Sequence, residues 1–388
     1  MRVLQLPSWY VPEGGMFCTE QSIALQEQGV EVHILANVML PWRKYKRSIF
    51  SYPWNPFFTN EHGIPIVRYY GWRIPFADLL NMHLWVKHTL RLFALYLKTY
   101  GKPDIIHVHS SMWGGYAASL IKKKYDVPYI ITEHRGRFSE NSSDTETLLP
   151  ASYTPYLQEA FTHANAIVAV SKQLTNRIRT YAGNAVPISN ISNVVDTNFF
   201  TPKKTQQTAD SFTFINANSF HFAKGYDVLL ASFEQVYKIY PKVRLVLLGT
   251  GFDDREFTLQ LNQLSSKNRI EFKGYQTPEG VRHYLQKSDS FVLSSRIEAQ
   301  PIAILEAMSC GLPIVCTQVV PAEIVTPTVG IHCASNDIHA LAKAMIQMVE
   351  TREKFDTDAI RKQAIEVCSR KAVASKLIAI YQQHIAHD

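Results

Sequence analysis

The sequence predicts an α/β protein made of two doubly wound domains, each a parallel sheet covered by helices on both faces. Short apolar runs rich in β-branched residues alternate with helix-like stretches, in two series that a polar segment separates. Continuous apolar strands that alternate with helices are typical of parallel sheets buried on both faces. Two such series therefore predict two domains.

The first series occupies residues 1–200 and defines the predicted N-terminal domain. Its predicted strands are residues 2–6, 30–35, 64–70, 104–109, 128–134 and 166–171. Amphipathic stretches such as 16–28 and 81–99 lie between them and carry apolar residues at helical spacing.

The second series occupies residues 211–370. Its predicted strands are residues 212–217, 243–249, 269–274, 290–295 and 313–317, and its predicted helices are 226–239, 278–288 and 301–310. Residues 201–210, TPKKTQQTAD, are polar and without periodicity, so they are the predicted linker. A helix at about 371–388 is expected to pack back on the first domain. Because ligands bind beyond the carboxyl ends of parallel strands, we expect strand-end loops of both domains to face one cleft.

Composition narrows the class of protein. The chain has 388 residues, 46% of them hydrophobic, and no apolar run near the roughly 20 residues that span a bilayer. The first apolar run breaks at Pro7, too early for a signal peptide. Five cysteines without a CxxC spacing predict reduced thiols in a cytoplasmic protein.

Positive charge is concentrated in the first half. Residues 1–196 hold 19 Lys and Arg against 14 Asp and Glu, which gives +5 of the net +7. The basic and aromatic stretch PWRKYKRSIFSYPWNPFF lies at residues 41–58. An anionic membrane surface, an acidic substrate or a solvated loop all fit this stretch. No recognised nucleic-acid motif accompanies it, so we expect no nucleic-acid partner.

Two glutamates eight positions apart, Glu298 and Glu306, stand in the otherwise apolar stretch SSRIEAQPIAILEAMSCGLPIVCT. Pro301 suits the first position of a helix and Gly311 the residue just past its end. Glu298 then lies in the loop before the helix, and Glu306 leans back toward it. Free N–H groups at the helix start favour an anion. Two carboxylate acceptors beside an anion site suit a nucleotide sugar, although two solvated glutamates would give the same pattern.

Other strand ends carry polar residues too. Lys224 precedes a predicted helix, where a cation opposes the helix dipole unless it faces an anion. The paired Gly14 and Gly15 follow the first strand and permit close approach of the backbone to a ligand. His107 and His109 end one strand, and Glu133 and His134 end another. Imidazoles at such positions suit hydrogen bonds to a substrate.

The ordered set of these motifs resembles the retaining glycosyltransferases of group 1, family 4, which have the GT-B architecture of two Rossmann-like domains. The matching landmarks are Gly14–Gly15, His109, SNVVDTNFF at 192–200, Lys224–Gly225, LLGTG at 247–251, FKGY at 272–275, and Glu298 with Glu306 before EAMSCGLPIV.

This resemblance implies roles for individual residues. His109, Glu298 and Lys224 are the implied catalytic set, in which His109 and Glu298 contact the donor sugar and Lys224 neutralises the diphosphate. Glu306 binds the ribose hydroxyls. The remaining implied donor contacts are the backbone at Gly14, Gly15, Pro301 and Ile302 around the diphosphate and at Gly274 and Tyr275 around the base. Because the donor motifs cluster in the C-terminal domain, residues 211–370, we expect the acceptor to bind to the N-terminal domain, residues 1–200. The candidates on the acceptor side are His134, Arg135 and Arg137.

The implied chemistry is transfer from a UDP- or GDP-sugar with retention of anomeric configuration, without metal or cofactor. The implied acceptor is a saccharide or lipid-linked saccharide in surface polysaccharide assembly, on the cytoplasmic face of the membrane. Our preference for a lipid-linked acceptor comes from the basic stretch, and a soluble acceptor is the alternative.

The sequence departs from the family pattern at three places. Asn218 and Ser219 stand where an arginine is usual, Ala299, Gln300 and Pro301 replace a glycine-rich segment, and NVVD replaces NGVD. The missing arginine gives weight to one alternative, a non-catalytic partner protein with the GT-B fold that binds a sugar nucleotide or another transferase. The other alternative is a zinc enzyme that uses His107, His109, His134 and Glu133.

Overall fold

The computed structural model describes residues 1–12, 14–41, 51–140, 150–203 and 211–385. The chain divides into two units, one formed by Met1–Val194 with Arg370–Asp388 and the other by Val195–Ser369. Each unit is built on a sheet of mainly parallel strands with helices packed against it, which confirms the predicted fold class.

The sheet of the first unit has eight strands within the described residues. They are β1 (Arg2–Pro7), β2 (Glu31–Pro41), β3 (Phe57–Glu61), β4 (Ile64–Arg73), β5 (Ile105–His109), β6 (Tyr129–Glu133), β7 (Ala166–Ala169) and β8 (Ile188–Asn190). Their order across the sheet is β3-β4-β2-β1-β5-β6-β7-β8. All neighbours are parallel except β3 and β4. The order of the strands therefore reverses between β1 and β5.

The sequence analysis does not predict the edge strand β3. This strand forms an antiparallel hairpin with β4 through His62 and Gly63, whose φ angles are 55° and 78°. Two successive residues with positive φ suit the tight hairpin turn that matches the twist of the strands. Strand β3 is half-buried and exposed at alternate residues, so it lacks the apolar run by which the other strands are predicted.

Helices cover this sheet. They are α1 (Met16–Gln26), α2 (Asp78–Tyr100), α3 (Tyr116–Tyr125), α4 (Thr154–Thr162) and α5 (Thr175–Ala182). Helix α2 is tied to β2 by a reciprocal pair of hydrogen bonds. The indole Nε1 of Trp85 donates to the carbonyl of Asn37, and the Asn37 amide donates to the carbonyl of Trp85, both at 2.8 Å. Both side chains are fully buried, so these bonds offset the cost of removing polar atoms from water.

The second unit contains a six-stranded parallel sheet. Its strands are β9 (Thr213–Ala217), β10 (Arg244–Leu248), β11 (Ile270–Gly274), β12 (Ser290–Leu293), β13 (Ile314–Thr317) and β14 (Gly330–Cys333). Their order is β11-β10-β9-β12-β13-β14, so the reversal falls between β9 and β12. Strand β14 is not predicted, because its sequence GIHC has no continuous apolar run. The helices are α6 (Tyr226–Ile239), α7 (Arg255–Asn262), α8 (Pro278–Leu285), α9 (Ile302–Ser309), α10 (Ile338–Thr351) and α11 (Thr357–Cys368).

The first unit ends at residue 194, six residues before the predicted boundary. The Val195 N–H donates to the carbonyl of Cys368 at 2.9 Å, and Phe200 lies in the core of the second unit. These contacts bind residues 195–200 to the second unit. Residues 204–210 of the predicted linker lie outside the described residues.

The last helix, α12 (Arg370–His384), belongs to the first unit. Its residues Val373, Leu377 and Tyr381 lie in the same core cluster as residues of α1 and β1. The Tyr381 hydroxyl lies 2.6 Å from Nδ1 of His107 in β5. Of the helices within the described residues, none combines the length and apolar character needed to span a bilayer.

Because α12 completes the core of the first unit, we expect Leu377→Ala to lower that unit's free energy of unfolding by about 2–5 kcal/mol. All six tryptophans lie between residues 9 and 113, so tryptophan fluorescence during urea unfolding reports on this unit. The exposed Lys376→Ala on the same helix is the matched control and should change little. An unchanged fluorescence transition in Leu377→Ala would contradict the assignment of α12.

Candidate functional site

Each unit has one place where ligands are expected. In an open α/β sheet, ligands bind beyond the carboxyl ends of the strands, at the point where the strand order reverses. In the second unit this point lies between β9 and β12, and in the first between β1 and β5. Most predicted site residues follow these strands or their neighbours, and Gly274 and Tyr275 lie at the end of the edge strand β11.

Lys224 ends a short turn, Phe222–Lys224, between β9 and α6. The next residue, Gly225, has a φ of 62°, and a Cβ there would lie 2.2 Å from the carbonyl oxygen of Ser294. Only glycine therefore fits at this position. The Ser294 hydroxyl also donates to the carbonyl of Lys224 at 2.8 Å. The turn that carries Lys224 is thereby held against the loop that follows β12.

That loop carries Glu298, and the structure brings the two predicted residues together. Lys224 Nζ lies 2.7 Å from Oε1 of Glu298, and the Ser295 hydroxyl donates to the same oxygen at 2.7 Å. The Glu298 side chain is only 8% exposed, whereas that of Lys224 is 25% exposed. A buried carboxylate is costly without a partner, and here a cation and a hydroxyl stabilise it. Glu298 is thus paired with Lys224, and the sequence predicts that both residues bind the nucleotide-sugar donor.

Arg296 holds the same two loops together, and sequence reasoning did not identify it. Its Nη1 donates to the carbonyl of Phe222 at 2.7 Å, and its Nη2 pairs with Asp227 at 2.6 Å. Its backbone N–H donates to the carbonyl of Ala223 at 2.8 Å. Arg296 therefore fixes the turn before Lys224. Its position could have indicated this role, because Arg296 follows a predicted strand and lies two residues before the candidate Glu298.

Helix α9 begins one residue later than predicted. Pro301 is its N-cap, without a side-chain hydrogen bond at the cap, and Ile302 is its first residue. Glu306 is half-buried in the second turn of the helix. Glu298, Pro301, Ile302 and Glu306 thus all lie within the segment that follows β12.

Strand β11, at the edge of the same sheet, ends at Gly274. The Gly274 carbonyl accepts a hydrogen bond from the Gly249 N–H at 2.9 Å. Tyr275 is 77% exposed. At the positions of the missing arginine, the Asn218 amide donates to Asn216 at 3.3 Å, and the Ser219 hydroxyl bonds to Thr250 at 3.0 Å. These two residues join the ends of β9 and β10 and bring no cation.

In the first unit, Gly15 is the N-cap of α1 and follows β1. Its φ is 85°, and a Cβ there would lie 2.5 Å from the carbonyl oxygen of Trp9, so no other residue fits. Gly14, with a φ of 102°, lies against the Trp9 ring. Phe17 in the first turn of α1 stacks on His134, with 4.0 Å between ring centroids. The paired glycines therefore lie close to the predicted histidines.

His109 is fully buried at the end of β5. Its Nε2 lies 2.7 Å from Oε1 of Gln5, and its Nδ1 lies 3.1 Å from Nε2 of His134. Nδ1 of His134 lies 2.9 Å from Oδ1 of Asn193. Burial lowers the pKa of His134 to about 4, and it holds the pKa of His109 well below its usual range. Both imidazoles are therefore neutral at physiological pH.

The zinc alternative requires His107 and Glu133 to face the same point as these histidines. His107 instead bonds to Tyr381 and Thr132, both at 2.6 Å. The fully buried Glu133 accepts hydrogen bonds from the hydroxyls of Ser110 and Ser111 at 2.8 and 2.6 Å. Among the described residues, no three His, Cys, Asp or Glu side chains are grouped so as to hold a metal ion.

Arg135 and Arg137, the other residues predicted on the acceptor side, follow β6 and are half-buried. The Arg135 guanidinium lies over the Trp9 ring, 4.4 Å from its centroid. Trp9 lies in the stretch PSWYVPEGG, of which the sequence analysis predicted only Gly14 and Gly15 as ligand contacts. The aromatic residue directly after the first strand could have indicated that Trp9 also lies at the site.

The chain thus has two α/β units, with a Lys–Glu pair at the strand ends of one and a half-buried arginine pair at the strand ends of the other. Residues 14–199 match the family model of Glycosyltransferase Family 4, and residues 198–366 match that of glycosyl transferases group 1. The two matches together span most of the chain, which therefore belongs to the group 1, family 4 glycosyltransferases and is a glycosyltransferase.

Two curated relatives illustrate the range of this similarity. A putative teichuronic acid biosynthesis glycosyltransferase of Bacillus subtilis is 25% identical over 81% of this chain and 79% of its own length. One component of the phosphatidylinositol N-acetylglucosaminyltransferase of Arabidopsis thaliana is 28% identical over 50% of this chain, and the match covers 43% of that relative. These names belong to polysaccharide and glycolipid biosynthesis.

Among solved structures, the Anabaena protein HepE in complex with UDP-glucose matches with a TM-score of 0.72. The match covers 99% of this chain and 100% of HepE at 18% sequence identity. At this identity the likeness shows the fold, which is GT-B.

The buried histidines predict how the first unit responds to pH. Burial lowers the pKa of His107 to about 3 and that of His134 to about 4, so both stay neutral in the folded chain while they take up protons in the unfolded chain below about pH 6.5. We expect the free energy of unfolding to fall between pH 6.5 and 4, by about 1.4 kcal/mol per pH unit for each such histidine.

Urea unfolding followed by tryptophan fluorescence at several pH values checks this. We expect His134→Gln to show a shallower pH dependence than the wild type. His83→Gln, which changes an exposed histidine on α2, should keep the wild-type slope. A stability of the first unit that does not change between pH 7 and 5 would show that these imidazoles are not buried in the neutral form.

Proposed function

We propose that this glycosyltransferase moves a sugar from a UDP- or GDP-sugar to a saccharide or lipid-linked saccharide, with retention of anomeric configuration. The observation that carries the proposal is the contact of Lys224 with Glu298, 2.7 Å apart, where the strand order of the second unit reverses. This site offers a cation for a diphosphate and a carboxylate for sugar hydroxyls within one hydrogen-bond distance of each other.

Donor binding uses groups that are already held in place. Glu298 is fixed by Ser295, and the turn with Lys224 is fixed by Arg296 and by Ser294. Little conformational freedom is therefore lost when the donor binds. The Lys224 ammonium contacts the diphosphate, and Glu298 accepts hydrogen bonds from the donor sugar. The other proposed donor contacts are Glu306 to the ribose, Gly14, Gly15, Pro301 and Ile302 to the diphosphate, and Gly274 and Tyr275 to the base.

Transfer proceeds by attack on the same face that the nucleoside diphosphate leaves. The departing diphosphate takes the proton of the acceptor hydroxyl, so no carboxylate base, metal or cofactor enters this scheme. Positive charge from Lys224 stabilises the leaving phosphates in the transition state. His109 is proposed to lie beside the donor sugar. Because its ring nitrogens bond to Gln5 and His134, a contact with the sugar exchanges the bond to His134.

The comparisons support the donor class and the pathway. HepE binds UDP-glucose and has the same fold, which favours a nucleotide sugar as donor. The Bacillus subtilis relative is named for teichuronic acid biosynthesis, which favours a role in polysaccharide assembly. We propose that this assembly takes place on the cytoplasmic side of the membrane.

Three variants test the donor site. We expect Glu306→Ala to weaken binding of free UDP or GDP by roughly 1.5–3 kcal/mol, because the ribose loses a charged acceptor. Glu298→Ala should lower turnover more than nucleotide affinity, since it contacts the sugar. Lys224→Ala should lower both. Slow hydrolysis of a panel of UDP- and GDP-sugars measures turnover, and calorimetry measures nucleotide affinity.

Arg282→Ala, on α8 of the same unit, is the control for general loss of stability. Equal losses of UDP or GDP affinity in Glu298→Ala and Glu306→Ala would contradict the division of roles. A wild-type chain that binds a sugar nucleotide but neither hydrolyses nor transfers it is a non-catalytic partner protein.

One described surface of the first unit favours an acceptor at a membrane. At the start of α2, Ile74, Phe76, Leu79 and Leu80 are 42%, 96%, 37% and 50% exposed. Lys87, Arg91 and Lys98 follow on the exposed side of the helix, whose one acidic residue is Asp78. Clustered apolar side chains beside cations suit an anionic bilayer interface. Residues 42–50 of the basic stretch lie outside the described residues, and Trp54 next to them is exposed.

We expect the wild type to sediment with anionic liposomes at low salt, and the double variant Phe76→Ser with Leu80→Ser to bind roughly tenfold less because two apolar side chains no longer leave water. Leu259→Ser, at a similarly exposed leucine of the second unit, is the matched control. Gln at Arg43, Lys44, Lys46 and Arg47 tests the basic stretch in the same assay. If the wild type stays in the supernatant at low salt, the membrane hypothesis is wrong, and a soluble acceptor is the alternative.

A further inference from the structure

A pocket of about 440 Å³ opens at the carboxyl ends of five strands of the first unit, which are β1, β2, β4, β5 and β6. Trp9 follows β1, Arg73 ends β4, Trp113 follows β5, and Arg135 and Arg137 follow β6. All of these residues line the pocket, which thus lies within the first unit beside its strand reversal. A volume of this size admits a sugar ring with a charged substituent.

The pocket carries more positive charge than the described residues around it neutralise. Arg73 is paired with Asp78 at 2.7 Å on the exposed rim. No carboxylate of the described residues lies within ion-pair distance of the guanidinium groups of Arg135 and Arg137. The nearby Glu133 is occupied by hydroxyls and by the backbone N–H groups of His134 and Arg135, both at 3.0 Å.

The two arginines are held in the pocket at a cost. Burial lowers the pKa of Arg135 to about 10 and lowers the pKa of Arg137 as well, so their charged forms are partly desolvated. Partly buried guanidinium groups without a carboxylate are expensive unless a ligand supplies the negative charge. Arg presents a planar fork that binds carboxylate or phosphate through two parallel hydrogen bonds.

The walls of the pocket suit a sugar ring. Trp9 and Trp113 line the pocket, and the Arg135 guanidinium lies over one face of the Trp9 ring, 4.4 Å from its centroid. Aromatic side chains offer a flat apolar surface to the face of a sugar ring. The pocket therefore combines cations with aromatic walls.

We propose that this pocket binds an anionic sugar of the acceptor, with its carboxylate or phosphate on Arg135 and Arg137 and its ring against Trp9 and Trp113. The inference deepens the proposed function, on which it rests, by naming the acceptor class as an acidic or phosphorylated saccharide.

Tryptophan fluorescence tests the proposal directly, because all six tryptophans lie between residues 9 and 113. Glucose, glucuronic acid and glucose 1-phosphate are titrated separately, so that the neutral, carboxylate and phosphate probes share one ring. We expect saturable binding of one or both anionic sugars, at lower concentration than glucose and weakened by salt. Arg137→Gln and Arg135→Gln should each weaken binding of the anionic sugar by about 10- to 100-fold.

Lys102→Gln, which removes an exposed cation of the same unit, is the matched control and should bind like the wild type. Arg137→Lys keeps the charge without the fork and should bind more tightly than Arg137→Gln, which separates recognition from a folding defect. The proposal fails if neither anionic sugar binds more tightly than glucose, or if the Arg→Gln variants keep the preference. Donor hydrolysis by the wild type, measured in parallel, decides the proposed function independently of either outcome.

Discussion

The arrangement of the first unit depends on one buried carboxylate, that of Glu133. It accepts hydrogen bonds from the hydroxyls of Ser110 and Ser111 and from the N–H groups of Ser111, His134 and Arg135. These donors belong to the segments that follow two neighbouring strands, β5 and β6. A carboxylate without water is stable only with such a set of donors, so its burial forces the two segments into one geometry. The orientation of His134 and the placement of Arg135 both follow from it.

The second unit meets the same requirement with an ion pair. There Glu298 joins the segment after β12 to the turn before α6, and Lys224 and Ser295 supply the partners. The difference matters for chemistry. Every donor to Glu133 is a neutral group of the protein, so that carboxylate is structural. The partner of Glu298 is a charged side chain that is 25% exposed, so the Lys224 ammonium remains accessible to a ligand.

Sequence patterns predicted the buried strands and the individual site residues. They did not predict which distant residues contact one another. Fully buried strands such as β5 and β6 carry continuous apolar runs, whereas the edge strand β3 does not. Lys224 and Glu298 were predicted from their motifs, but their contact joins residues 74 positions apart. Glu133 entered a possible metal site because residue type does not reveal which donors a carboxylate faces. Trp113, Arg73 and Arg135 line one pocket only because the ends of five strands meet at one edge of the sheet.

The two proposed binding sites differ in how their charge is balanced within the protein. At Lys224 and Glu298 the charges cancel within the protein, so a donor gains affinity only by making contacts better than those it replaces. At Arg135 and Arg137 no described carboxylate cancels the charge, so an anionic ligand removes an existing cost. The unliganded first unit is therefore less stable because of Arg135 and Arg137, and an anionic ligand gains affinity by removing that cost. The hydrogen bonds of Glu133 to the N–H groups of His134 and Arg135 hold the segment that carries these arginines in place despite that cost.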